Sequence, residues 1–336
     1  MRVLSAFSLI FYCLCAISCT GNHYVEVSGY AQGGTYSVKF NTRGMTVSAQ
    51  TAANSIDSIL TLVDTTLSGY NKGSMISRYN REETIVPNEM FRDIFALSKE
   101  LYSLSDSTVD VTAAPLFDLW GFGFTDDDAA RPARDVIDGV LSRCGMQNFS
   151  GRLEQAAPGQ KLNYNAIAQG YTCDLVARYL YSKGVKDMLV DIGEIFCDGL
   201  SPSGKGWRIS IDTPLDGNNT PGESSSGIWQ SDGGPHGIVT SGNYRKFFVV
   251  DGQKYSHTID PRTGYPVSHN LLSATIIAKD AATADAMATA CMVMGLESAS
   301  EFVSKKGYGA ILIYDEAGSL KTRQIGAEGF TLPLSQ

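Results

Sequence analysis

The sequence predicts an α+β protein. Strand-like and helix-like segments are mixed along the chain, without regular β-α alternation and without internal repeats. One segment, KFFVV-DG-QKYSHTI, is a strong hairpin signal, with Asp251-Gly252 in the turn position. At 336 residues the chain is one large domain or two small ones, long enough to bury a sizeable core.

Read in order, the chain starts with a leader. Arg2 precedes an uncharged, mostly apolar run, Val3 to Ser18, which is short for a membrane span but suits the apolar region of a secretory signal. The run ends A-I-S-C, Ala16 to Cys19, and this resembles a bacterial lipobox. Cleavage there removes residues 1–18 as a lipoprotein signal peptide and leaves Cys19 as the lipidated N-terminus. A plain signal peptide cut nearby is the alternative. We expect an exported protein, lipid-anchored to a bacterial membrane and facing the periplasm. Residues 19–29 would be a tether and 30–336 the functional domain.

Tyr24–Tyr30 and Thr35–Phe40 alternate around Gly33-Gly34 and read as two strands. Ile56, Leu60, Val63 and Leu67 recur at helical spacing within 47–67. Asn88 reads as the N-cap of a second helix that buries Phe91, Ile94, Phe95 and Leu101. Pro132 suits the start of a third helix, ending near Gly145. KLNY, Lys161 to Tyr164, reads as a short strand running into a helix, Ala166–Lys183, that Gly184 stops. Asp187–Ile192 and Trp207–Asp212 are strands. Pro214–Pro235, rich in Gly, Ser and Asn, reads as a surface insertion. Strand Ser273–Ala278, helix Ala281–Met294, a last helix, two strands and a tail complete the chain.

A formal charge of −8 and the lack of any polybasic run argue against nucleic-acid binding. An anionic ligand would have to be held locally, by metal and backbone. Cys13, Cys15 and Cys19 belong to the leader, while Cys144, Cys173, Cys197 and Cys291 lie far apart without metal-ligand spacing. We expect these four to be buried free thiols. GxxxxGK[ST], HExxH, GxSxG and CxxC are all missing, and Gly121-Phe122-Gly123 precedes no helix start, so a dinucleotide-binding Rossmann reading fails.

Four clusters remain. HTIDPRTGYPV places His257 before a loop stiffened by Pro261, Gly264 and Pro266, where an imidazole could act as a general base or merely cap a turn. In DAATADAMATACMVMG, Asp285 and Thr289 are four apart on one helix face lined by alanines. Together with backbone carbonyls they offer hard oxygen ligands for Mg2+, or else they form a polar pair on a solvated surface. LNYNAIAQGYTCD, Leu162 to Asp174, could seat a phosphate at a helix start or be an ordinary strand-to-helix turn. DVTAAPLFDLWGFG, Asp110 to Gly123, has an acidic edge and an aromatic-glycine platform, or is a tight turn packed by Trp120.

In combination and in this order, these segments resemble the ApbE family of FAD:protein FMN transferases. SGYNKGSMISRYN, GIVTSGNYRKFF and AQGGTYSVKF resemble further elements of that family, so the likeness runs from about residue 30 to about residue 315. The resemblance implies mixed, largely antiparallel sheets with packed helices. It also implies an exported enzyme that uses Mg2+ to transfer FMN from FAD onto a threonine or serine of a redox partner, with release of AMP. Acceptor flavoprotein subunits of membrane redox complexes would be its partners. Carried over by position, the metal ligands would be Asp285 and Thr289, with the carbonyls of Ala166 and Ala288. FAD would contact Gln32, Tyr70, Thr108, Val109, Asp110, Asn163, Gln169 and Ile259. His257, with Asp260, would take the acceptor proton near the pyrophosphate, while Arg262 would stabilise the leaving AMP or brace the loop. An FAD pyrophosphatase and a non-catalytic flavin-binding lipoprotein are the alternatives. Three positions depart from the family pattern. Gln169 and Gln32 replace a charged residue and a methionine, and Asp191-Ile192-Gly193-Glu194 is one glycine short.

Overall fold

A computed structural model describes residues 23–124, 131–215, 224–243, 247–250 and 253–333. The leader, Cys19 and the Asp251-Gly252 turn lie outside the described residues. The chain opens with β1 (Tyr24–Ala31) and β2 (Gly34–Asn41), then α1 (Ala49–Leu67), α2 (Met75–Asn80), α3 (Glu89–Leu104), α4 (Ala114–Leu119), α5 (Arg134–Leu141) and α6 (Ala168–Ser182). Strands β3 (Met188–Asp191), β4 (Ile195–Asp198), β5 (Arg208–Asp212), β6 (Ser225–Gln230) and β7 (His236–Gly242) follow. Next come β8 (Phe247–Val250), β9 (Gln253–Ser256), β10 (Ile259–Asp260), β11 (Tyr265–Pro266) and β12 (Leu271–Ala278). Helices α7 (Ala281–Met294) and α8 (Leu296–Lys306) lead to β13 (Gly309–Glu316), β14 (Ser319–Ile325) and β15 (Phe330–Thr331).

The main sheet has eight strands in the order β1-β2-β3-β4-β7-β12-β13-β14, and every described strand pair is antiparallel. The β1–β2 connection is Gln32-Gly33, with φ of 50° and 83°, the left-handed pair that a two-residue hairpin requires. The turn therefore sits one residue earlier than Gly33-Gly34. Ser48 and Asn88 cap α1 and α3 as N-caps, and α3 buries the expected face. The expected β8–β9 hairpin is present around two connecting residues.

Both faces of the large sheet are covered, giving three layers. On one face α7 packs against β7 and β12, flanked by α6 and α8. On the other, Trp207, Ile209, Ile211 and Trp229 join Ile238, Ile277, Ile311 and Ile313 in one apolar cluster. This second layer is a small sheet of order β15-β6-β5.

Several elements differ from the sequence reading. Within the described part of 214–235, Ser225–Gln230 is a core-facing strand with Trp229 only 3% exposed, so this is no simple surface insertion. KLNY is irregular, because Leu162 exchanges hydrogen bonds with the Asn80 amide and Asn163 N–H donates to the Val111 carbonyl, instead of joining a sheet. The helix after Pro132 begins at Arg134 and stops at Leu141, and α6 begins at Ala168. Cys144, Cys173, Cys197 and Cys291 are buried free thiols, as expected.

Candidate functional site

The centre of the site is the contact between α6 and α7. Asp280 caps α7 by accepting from Thr283 N–H at 2.8 Å. Asp174, from α6, accepts from the N–H groups of both Ala281 and Ala282 at 2.9 Å. In return Asp285 Oδ2 accepts from Gly170 N–H, in the first turn of α6, at 3.1 Å. The helices touch through their backbones here. A Cβ on Gly170 would lie 2.3 Å from the Ala281 carbonyl oxygen, so only glycine fits.

Eleven of the fourteen α7 residues are buried, and Asp285 is 4% exposed. The reading of Asp285 and Thr289 as a pair on a solvated surface therefore fails. Burial pushes the Asp285 carboxyl up to about 7, opposed by the Gly170 hydrogen bond and assisted by the nearby Asp174 charge. That hydrogen bond is the only one its carboxylate makes among the described residues. Thr289 Oγ1, one helical turn on, lies 3.4 Å from Ser241 Oγ on β7. Ala166 lies in the turn before α6, and Ala288 is fully buried beside Thr289. Among the described residues no group of three His, Cys, Asp or Glu could hold a metal ion. A cation here would rest on a carboxylate, a hydroxyl and carbonyl oxygens, a hard-oxygen donor set that fits Mg2+.

The histidine loop is held by α4, a helix the sequence reading missed because Pro115 and the glycines around Trp120 resemble a turn. Pro115 instead sits in the first turn of α4, where its missing N–H costs nothing. Asp110 starts the preceding turn by accepting from Thr112 N–H and Oγ1–H at 2.9 and 2.7 Å. Trp120 Nε1–H donates to the Gly264 carbonyl at 2.8 Å. Ile259 is buried with Leu116, Trp120 and Ile137, so any contact it makes to a ligand must come from its backbone. His257 is half-buried directly after β9, with Phe122 edge-on to its ring at 6.3 Å between centroids. Asp260 accepts from the Arg262 backbone N–H and Nε–H at 2.9 Å and from Nη2 at 2.8 Å. Both oxygens of Asp260 thus face Arg262, and the pair braces the loop.

The remaining candidate residues fall around these two centres. Gln32 Nε2, from the β1–β2 turn, donates to Thr172 Oγ1 of α6 at 2.8 Å, and Gln169 Nε2, in the first turn of α6, donates to the Ile192 carbonyl at 3.3 Å. Gly193 has φ of 88°, and the Gln169 amide packs where its Cβ would be, so the glycine-short turn is closed by Gln169 and by Ile192 N–H donating to the Glu194 carbonyl. Thr108 and Val109 are buried just before Asp110. Asn163, bonded to Val111, lies on the segment that joins the two centres. Tyr70 is 65% exposed and stands edge-on to Phe124 at the end of the aromatic-glycine run. Asp174, Ser241 and Asn80 were not singled out from sequence, since their partners lie far along the chain.

Fold and site together define an antiparallel α+β protein with a buried carboxylate and a half-buried hydroxyl paired on one helix and a braced histidine loop. The ApbE family model matches residues 32–312, and the chain belongs to the ApbE family. It is 34% identical to the FAD:protein FMN transferase of Escherichia coli K12 over 270 residues, 77% of this chain and 75% of the relative. The FAD:protein FMN transferase of Vibrio cholerae is likewise 34% identical, over 280 residues, 81% of this chain and 82% of the relative. Among solved structures, the apo Pseudomonas stutzeri flavinyl transferase ApbE superposes with a TM-score of 0.79 at 32% identity, covering 92% of this chain and 96% of that one. The flavin transferase ApbE from Vibrio cholerae gives 0.75 at 30% identity, covering 90% and 97%.

Proposed function

We propose that this chain is a flavin transferase that moves FMN from FAD to another protein. The family membership supports the enzyme class. Its chemistry here is carried by one observation, the buried Asp285 carboxylate that spends a single hydrogen bond on Gly170 while Thr289 stands one turn away.

Asp285 and Thr289, with the carbonyls of Ala166 and Ala288, would hold Mg2+. The ion would supply charge neutralisation at the pyrophosphate and act as a Lewis acid. Gln32, Tyr70, Thr108, Val109, Asp110, Asn163, Gln169 and the Ile259 backbone would bind and orient FAD. His257 takes the proton from the incoming threonine or serine hydroxyl, whose oxygen bonds to the FMN phosphorus. The P–O bond to the bridging oxygen breaks, and that oxygen leaves on AMP. Asp260 and Arg262 hold the loop rather than exchanging protons. Positioning and electrostatics do most of the work, as in other phosphoryl transfers.

The A-I-S-C junction at Cys19 supports an exported, lipid-anchored enzyme facing the periplasm. Its acceptors would be flavoprotein subunits of membrane redox complexes, which a tethered enzyme meets at the same surface.

The test is to mix protein, FAD and Mg2+ with and without an acceptor domain, and to measure AMP and acceptor mass. An acceptor heavier by one FMN, with matching AMP, is the expected result. AMP with free FMN and no adduct identifies a pyrophosphatase. FAD binding without AMP identifies a carrier.

A further inference from the structure

We infer that Asp174 is a positioning residue for the metal helix: by capping α7 from the neighbouring helix, it keeps Asp285 and Thr289 in place for the cation. This rests on the magnesium reading above.

The first turn of a helix leaves several N–H groups without partners. In α7, Asp280 satisfies only Thr283 with its side chain. Ala281 and Ala282 are 0% and 2% exposed, so water cannot serve them, and Asp174 accepts from both. A carboxylate at a helix N-terminus also meets the positive end of the helix dipole. Many caps do no more than that.

This one is half of a reciprocal clasp. Asp174 reaches from α6 to the first turn of α7, and Asp285 reaches from α7 to Gly170 in the first turn of α6. Both bonds flank a contact so close that Gly170 cannot carry a side chain against the Ala281 carbonyl. Sliding α7 along α6 by even a fraction of a turn would break both bonds together. Asp285 and Thr289 stand one and two turns beyond Ala281 on the same rod, so the clasp sets where their oxygens lie. Asp174 has both oxygens spent on backbone N–H groups, which suits it to hold the helix and not to bind the ion.

The test uses the full mature chain with Asp174→Ala, Asp174→Asn and, as control, Asp285→Ala. Calorimetry with Mg2+ alone gives the dissociation constant, and AMP release against Mg2+ concentration gives KM and kcat. Asp174→Ala is expected to raise both the Mg2+ Kd and the Mg2+ KM about tenfold or more, as loss of an outer support to a metal site does. Its kcat at saturating Mg2+ should stay within about threefold, because no reacting group is touched. Asp174→Asn, which keeps one acceptor oxygen, should show a smaller rise in the same direction. If Asp174→Ala does not fold, Asp174→Asn decides, with a rise of about threefold or more expected for one lost hydrogen bond. Unchanged Mg2+ affinity in every folded Asp174 variant, with only the melting temperature lowered, overturns the inference and leaves the magnesium reading intact provided Asp285→Ala loses binding. Wild-type Mg2+ affinity in Asp285→Ala overturns both.

Discussion

Trp120 donates its indole N–H to the carbonyl of Gly264 at 2.8 Å, a bond between residues 144 positions apart. It fastens the loop that carries His257, Asp260 and Arg262 to the end of α4. Trp120→Phe keeps an apolar ring but leaves a buried carbonyl unpaired, which costs about 1–3 kcal/mol. Denaturant unfolding should register that loss. Turnover should fall while Mg2+ affinity holds, since α7 is untouched; a fall in Mg2+ affinity would show the two centres to be coupled.

His257 is the proposed proton acceptor. His257→Gln should lower single-turnover AMP release by about 10²–10⁴-fold, the usual range for a lost general base. FAD affinity, followed by flavin fluorescence, should change little. A variant that turns over at wild-type rate would remove His257 from the mechanism.

Asp285→Ala should abolish Mg2+-dependent turnover. In metal-free protein the Asp285 carboxyl is raised to about 7 by burial, well above its ordinary value near 3.8. A raised acid stabilises the fold relative to the charged form below its unfolded pKa, and that contribution is lost as pH climbs through the folded value. In EDTA, wild-type stability should therefore decline relative to Asp285→Asn between about pH 4 and pH 8. Added Mg2+ should restore the wild type alone.

Gly170→Ala places a methyl group 2.3 Å from the Ala281 carbonyl oxygen, where backbone must move. Such overpacking costs about 1–3 kcal/mol. The melting temperature should drop, and Mg2+ should bind more weakly as α6 and α7 part.

Burial pushes the thiols of Cys144, Cys197 and Cys291 up to about 12, so they stay protonated at pH 8. A disulfide reagent should find none of these, nor Cys173, in the native protein, and all four after unfolding in guanidinium. Rapid labelling of the native state would contradict the packing of all four clusters that hold them.

Much of the fold was legible where local signals agreed with burial. The bounds read for α7, Ala281–Met294, match those observed, where Asp280 caps the start and Gly295 ends the helix. What composition did not reveal is that alanines on every side let most of the helix be buried, which turns Asp285 from a surface residue into an interior one. KLNY misled because its alternation has no sheet to join; a single side chain, Asn80, satisfies the Leu162 backbone. The strand at Ser225–Gln230 was hidden inside a run of loop-forming residues, and only Trp229 betrays it. Asp174 could not be assigned from sequence, because its two partners lie 107 and 108 positions away.

The encasement of α7 by β7, β12, α6 and α8 has a consequence for biogenesis. Its neighbours are drawn from Ala168 through Lys306, so the oxygens of Asp285 and Thr289 reach their places only after that whole span has been synthesised and has collapsed. A polypeptide arrested short of Lys306 would thus lack the fixed donor pair, and competence would arrive late in folding.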